Sequence, residues 1–425
     1  MSAKSGLFSK PAVRLADIMA PERNSFGLIR LAMAITVLFS HSYLFLAGTS
    51  RAEPLAGWTG HSLGEHGVQV FFFLSGILIA QSFEASRSLL EFAVARVLRI
   101  LPALAVCVLA TAFVLGPLVS TLPLRDYLGD PLLARYIVKT VLLVTGAAPL
   151  PGVFGDLPLA GDVNLSVWTL KYEVLCYAGL AALGLAGLFD RRVRFGAVAL
   201  LAFAIAGLFV GPYKPAEAYT ALDNLRHFGL YFGLGTLAYL MRARIALVPL
   251  ALVPLTLCAA ALHGSYFGEL AAALTLGYLT LLVASHTFGP VGAFTRQHDY
   301  SYGVYIYAAP VQHALQHRLP GLDAIVLSLW ALAATLPLAY LSWHLIEKPA
   351  LALRRAWFGR ALAPMRPTAF AGTIATRTAR QSTIAFRWPA PRSDEPEAPR
   401  TFAEGPRYSG RLGQYVTRAG HGRPG

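Results

Sequence analysis

Residues 26–47 read FGLIRLAMAITVLFSHSYLFLA, with no acid and only Arg30 and His41 as basic side chains. A helix needs about 20 mostly apolar residues to cross the hydrocarbon of a bilayer, so this stretch is long enough to span one. The residues before it are basic but not apolar, so the run reads as an uncleaved anchor and not as a removed signal. Comparable runs recur near 66–83, 93–119, 134–150, 164–189, 195–211, 225–241, 246–263, 268–286, 300–318 and 324–346. Eleven candidates in one chain leave no room for a separate soluble domain between them.

Composition agrees with that reading. Of 425 residues, 56% are apolar and 14% charged, with a mean hydropathy of +0.54, whereas soluble chains carry about 25% charged residues. Cys107, Cys176 and Cys258 lie in apolar runs without the paired spacing of a disulfide or zinc framework, and are expected to be core residues. The net charge of +14 is unevenly distributed. Residues 351–425 hold 13 arginines, no lysine and four acids, a net +9. That segment is rich in Pro, Gly, Ser, Thr and Arg and poor in large aliphatics, so it reads as a disordered cytoplasmic tail, either solvated or in contact with anionic lipid, and not as a nucleic-acid-binding module.

Basic residues also set the topology, because short cytoplasmic loops are enriched in Arg and Lys. Lys4, Lys10, Arg14 and Arg23, then Arg87, Arg96 and Arg99, Arg191, Arg192 and Arg194, Arg242 and Arg244, and Lys348, Arg354 and Arg355 all belong on one side. Eleven crossings cannot satisfy this. The run 134–150 is short and carries Arg135 and Lys139, so it is expected to be re-entrant or interfacial. The fold expected is therefore all-α, a polytopic membrane helix bundle of about ten transmembrane helices plus one re-entrant segment. Residues 1–25 form a cytoplasmic N-terminal segment, 26–350 the membrane domain and 351–425 the basic tail.

Ionisable residues inside a bilayer are costly and mark function by default. Arg30 and His41 are eleven positions apart, almost three helical turns, and so share a face about 16 Å apart along the axis. An arginine at the mouth can meet an anion, and a histidine deeper in can transfer a proton near neutrality. The alternative is an interfacial anchor and a helix-contact histidine. The second run, GVQVFFFLSG at 67–76, places the small pair Ser75-Gly76 where helices can approach closely. In LSVWTLKYEVLCY, 165–177, Ser166 and Glu173 share a face with Tyr177 one turn on; Trp168 and Tyr172 flank them. The alternative there is a surface pair of Lys171 with Glu173. No Walker A motif, Rossmann glycine fingerprint or zinc signature occurs, so neither bound nucleotide nor a metal is expected.

Taken in order, these pieces resemble the acyltransferase-3 family of membrane proteins, which O-acylate bacterial surface and secreted glycans, including O-antigen, exopolysaccharide and nodulation factors. The resemblance runs from about Phe26 to Pro349. It rests on Arg30-x10-His41, GVQVFFFLSG, Arg96 and Arg99, LSVWTLKYEVLCY, YFGLG at 231–235, SYGVYIY at 301–307 and WHLIEKP at 343–349. It implies acyl-CoA, most often acetyl-CoA, as donor substrate with no bound cofactor, a glycan or lipid-linked sugar as acceptor, and a bacterial inner membrane location with both termini cytoplasmic. By the same resemblance Arg30, Arg96 and Arg99 would bind the donor's phosphates. His41 would act as base or transient acyl carrier, Glu173 would orient it or the sugar, and Ser75, Trp168 and Tyr172 would shape the pocket. Many relatives carry a histidine where this chain has Ala308, so a second imidazole is not expected at that position. A secondary transporter or glycan flippase is the rival class, since it too needs polar residues at the midplane.

Overall fold

Eleven helices organise the residues described by the computed structural model, which are 13–144, 148–190 and 219–359. They are α1 Phe26–Ala47, α2 Leu63–Ala85, α3 Leu89–Val119, α4 Pro131–Val141, α5 Leu170–Leu185, α6 Ala221–Leu240, α7 Leu252–Ala261, α8 Gly268–Ala284, α9 Gly289–Gln297, α10 Ser301–Arg318 and α11 Ala324–Phe358. No strand occurs among the described residues, only an isolated bridge between Arg14 and Ala246.

Local chemistry sets the helix ends. Ser62 with Glu65 and Thr220 with Asp223 form capping boxes at the starts of α2 and α6, each satisfying two otherwise orphaned backbone donors. Gly48 at φ +72° stops α1 in the left-handed conformation that glycine tolerates best. Two long helices carry a π-turn, Thr111–Leu115 in α3 and Trp343–Glu347 in α11. Such bulges reset the phase of a helix and often mark functional sites.

The closest helix contact is between α2 and α6. A Cβ on Gly76 would lie 2.1 Å from the Phe232 carbonyl oxygen, and one on Gly235 would lie 2.0 Å from that of Phe73. The small residue of the Ser75-Gly76 pair thus admits a neighbouring backbone. Helix α10 is enclosed by α1, α3 and α11, and 13 of its 18 residues are buried. That enclosure explains its polar composition, because a helix shielded from lipid on all sides needs no apolar perimeter. The outer surfaces of α3 and α11 show the opposite pattern, with Phe113, Val114, Leu118, Leu329, Trp330 and Leu345 all at least half exposed. Large apolar side chains in such numbers on a surface call for lipid around them.

Four helices among the described residues are long and apolar enough to cross a membrane, α1, α2, α3 and α11; α8 with α9, bent by 103°, makes a fifth if the pair is one span. The others fall short for separate reasons. At the run 134–150 the described helix, α4, starts at Pro131, ends at Val141 and is too short to cross. The run 246–263 was expected to span, yet α7 is ten residues long, and the chain turns back at Gly264, φ +75°. Helices α6 and α10 are long but polar. The expected span at 195–211 lies outside the described residues. Helix α11 runs on to Phe358, eight residues past the expected end of the membrane domain, and Arg354 on it pairs with buried Glu91 at 3.2 Å. Cys107 and Cys176 are buried, but Cys258 is exposed on α7 and is not a core residue.

Candidate functional site

Between α1, α2, α3, α5 and α10 lies a cavity of about 280 Å³ lined by Arg30, Ser75, Arg96, Arg99, Glu173 and Tyr177, among others. Five of the eight residues singled out in the sequence therefore meet in one place. Their charges are largely matched. Arg30 donates to Asp299 at 2.7 Å, and Arg99 donates to Asp299 at 2.6 Å and to Glu347 at 3.0 Å. Burial would raise the Asp299 carboxyl, but the guanidinium groups of Arg30 and Arg99, helped by Ser301, hold it well below the usual carboxylate range. It is ionised at neutral pH.

Arg96 differs from the other two arginines. It has no carboxylate at ion-pair distance among the described residues; one nitrogen donates to Ser82 at 3.2 Å, and its plane lies 5.9 Å from the Phe92 ring and 6.0 Å from that of Tyr177. Its Nε and the indole N–H of Trp343, another cavity residue, are buried without a hydrogen-bond partner among the described residues. Buried donors are seldom left unmade. Two of them at a cavity wall, one on an unmatched cation, suit an anionic ligand.

A polar stripe leads from this cavity toward His41. Ser166, Thr169, Glu173 and Tyr177 stand three or four residues apart, so the 3-10 turn Leu165–Thr169 and α5 present them on one face. Tyr177 and Ser75 both donate to Glu173, the latter at 3.0 Å. Thr169 meets the Tyr305 hydroxyl at 2.6 Å. Ser166 reaches Nδ1 of half-buried His41 at 3.4 Å. His41 therefore sits one step beyond the cavity, and its hydroxyl partner is Ser166; Glu173 is held by Ser75 and Tyr177. Lys171 lies 4.9 Å from the Tyr172 ring and forms no pair with Glu173. Trp168 and Tyr172 pack with Phe228 on another face and do not line the cavity.

Two groups escaped the sequence reading. Asp299, which gathers Arg30 and Arg99, lies just ahead of the SYGVYIY motif; its partner is 269 positions away, and nothing local announces the pairing. The other is His313. Ala308 is buried in α10 as a small core residue, yet five positions on the same helix brings an imidazole alongside His41. The Phe45 ring lies 5.4 Å from His41 and 4.1 Å from His313 and so links the two. A second imidazole is present after all, from a position the motif does not cover. Its signal was the polar quartet Gln312, His313, Gln316 and His317 in an otherwise apolar stretch.

Comparison with known proteins identifies the family. The family described as "Acyltransferase domain" matches residues 23–344. An O-acetyl transferase of Shigella phage Sf6 is 30% identical over 336 residues, covering 76% of this chain and 95% of that protein. Nodulation protein 10 of Rhizobium leguminosarum bv. viciae is 30% identical over 389 residues, covering 80% of this chain and 96% of that protein. No solved structure matches the chain. With the family match spanning most of the helix bundle and these relatives aligned over nearly their whole length, the chain belongs to the acyltransferase-3 family and is an O-acyltransferase of the O-acetyltransferase type.

Proposed function

We propose that the protein transfers an acetyl group from acetyl-CoA to a hydroxyl of a cell-surface or secreted glycan, or of its lipid-linked precursor, in the bacterial inner membrane with both termini cytoplasmic. The observation that carries this reading is the row of polar side chains, Tyr177, Glu173, Thr169 and Ser166, that shares one face between the arginine-lined cavity and His41. On this reading the donor's phosphates meet Arg96, with Arg30 and Arg99 exchanging part of their contact with Asp299 for the ligand. The pantetheine arm lies along the stripe and brings the thioester to His41. His41 accepts the proton of the acceptor hydroxyl as its oxygen attacks the thioester carbonyl carbon. The carbon–sulfur bond breaks, and the thiolate takes the proton from the imidazolium to leave as free CoA. Base catalysis of this kind supplies about 10² to 10⁴-fold, so holding the two substrates together supplies much of the remainder.

The test is to incubate purified protein in detergent with acetyl-labelled CoA and surface polysaccharide whose ester-linked acyl groups have been removed with mild alkali. The expected result is alkali-labile label on the polysaccharide and one free CoA thiol per label. A transporter or flippase would leave all label on the donor, and that result would overturn the proposal.

A further inference from the structure

The far end of α10 carries polar groups that the cavity and its stripe do not use. His313, Gln316 and His317 stand at i, i+3 and i+4 and share one face. His313 is 1% exposed, and neither ring nitrogen makes a well-formed hydrogen bond among the described residues, with the Val163 backbone close enough to interact with the ring. Gln316 donates through Nε2 to the Phe45 carbonyl at 2.9 Å. A carbonyl can only accept, so this contact fixes the amide's orientation. It leaves Oε1 buried and unpaired. Nδ1 of His317 is also unpaired, 3.4 Å from the Asp156 carboxylate but off hydrogen-bond geometry. Folded proteins leave only a few buried polar groups per 100 residues unpaired. Here four such atoms fall within five residues.

Their surroundings define a ligand. The Phe154 ring lies 5.4 Å from His313 and 5.7 Å from His317, and Phe45 joins His313 to His41. Exposure rises from His313 through His317, 25% exposed, to Asp156, 67% exposed, so the face opens outward from His41. An amide oxygen needs a donor, while a neutral imidazole offers one donor and one acceptor. Hydroxyl groups satisfy both, and the exposed rim at His317 and Asp156 is where they would enter.

We propose that this face is the acceptor subsite, taking a hydroxylated sugar ring whose hydroxyls bond Gln316 Oε1, His317 and His313, with His313 setting the reacting hydroxyl against His41. The proposal rests on the glycan reading above. It is tested by steady-state kinetics of the full-length protein with acetyl-labelled CoA and alkali-deacetylated surface polysaccharide, comparing His313→Asn, Gln316→Met and His317→Asn with wild type. Each substitution should raise the polysaccharide KM about tenfold or more, the loss expected when a substrate hydroxyl finds no partner, while the acetyl-CoA KM and the protection CoA gives against thermal unfolding stay at wild-type values. If His313→Asn fails to fold, the two substitutions nearer the rim decide. An unchanged polysaccharide KM in a wild type that labels polysaccharide rejects the subsite alone, and a donor KM that rises in step shows the face to be structural and rejects it too. A wild type that labels no polysaccharide rejects the glycan reading and the subsite with it.

Discussion

Arg30 and Arg96 look interchangeable in the sequence, each an arginine in an apolar run, but their neighbours differ. Arg30 is committed to Asp299, whereas Arg96 meets only a hydroxyl and aromatic faces. An incoming anion must compete with a carboxylate for the first and not for the second. Arg96→Ala is therefore expected to raise the donor KM about tenfold or more, the loss of a charge-assisted contact, and Arg30→Ala by less, with kcat changed little in both. Steady-state kinetics against acetyl-CoA decides it, and the reverse order would mean that Asp299 yields its partner freely. At this scale the sequence was informative where a polar residue interrupts an apolar run, as with Arg30, Ser75 and Glu173. It was silent where the meaning lies in a partner far along the chain. Asp299 binds two arginines without any local trace, and the polar quartet around His313 marks that residue but not its nearness to Phe45 and His41. Trp168 and Tyr172 misled for a related reason, since spacing places a side chain on a helix but does not say which face meets the cavity.

At the scale of elements, close approach of backbones matters more than hydrophobicity. Helices α2 and α6 touch through Gly76 and Gly235, and a single methyl at Gly76 would strike the α6 backbone. Gly76→Ala is expected to destabilise the protein by about 1–3 kcal/mol, the usual cost of overpacking a filled contact, and to lower its thermal midpoint in detergent. Ser75→Ala should fall at or below the low end of that range, because it removes one hydrogen bond, to Glu173, worth about 1 kcal/mol. Equal losses would place the helix contact elsewhere. Helices facing lipid were legible because their apolar perimeter is continuous over twenty or more residues. Helix α10 was legible only as a polar run in a span-sized window, because bundle neighbours and not lipid surround it. The π-turn at Trp343–Glu347 could not be foreseen; Glu347 at its end pairs with Arg99, 248 positions away.

At the scale of the whole molecule, the two ends of the bundle differ in what they hold together. The segment ahead of α1 pairs with the loop after α6, through Arg14 to the Ala243 carbonyl at 2.9 Å and Leu15 to that of Ile245 at 2.9 Å. These loops share the side on which Arg30 lies, so a cysteine probe placed in 242–245 should resist a membrane-impermeant label applied to intact cells, and one in 151–163 should react. The opposite pattern would invert the proposed topology. The chain beyond α11 is not expected to take part in transfer. Truncation after Phe358 should leave activity largely intact in membranes, whereas truncation after Ala350 removes Arg354 and leaves Glu91 a buried carboxylate without its cation, which costs about 3–5 kcal/mol and should lower the yield of inserted protein. Loss of activity at normal expression in the first variant would place the tail in the reaction.

The central claim is that acyl transfer takes place at His41, fed from the arginine-lined cavity. The most direct measurement is label transfer from acetyl-CoA to alkali-deacetylated polysaccharide by purified His41→Gln, at matched expression and with CoA protection against thermal unfolding confirmed. Glutamine can keep a hydrogen bond to Ser166 but cannot accept a proton at neutral pH, so the account predicts a folded, donor-binding protein that transfers essentially no label. Transfer at more than a small fraction of the wild-type rate would contradict it and reduce His41 to a helix contact.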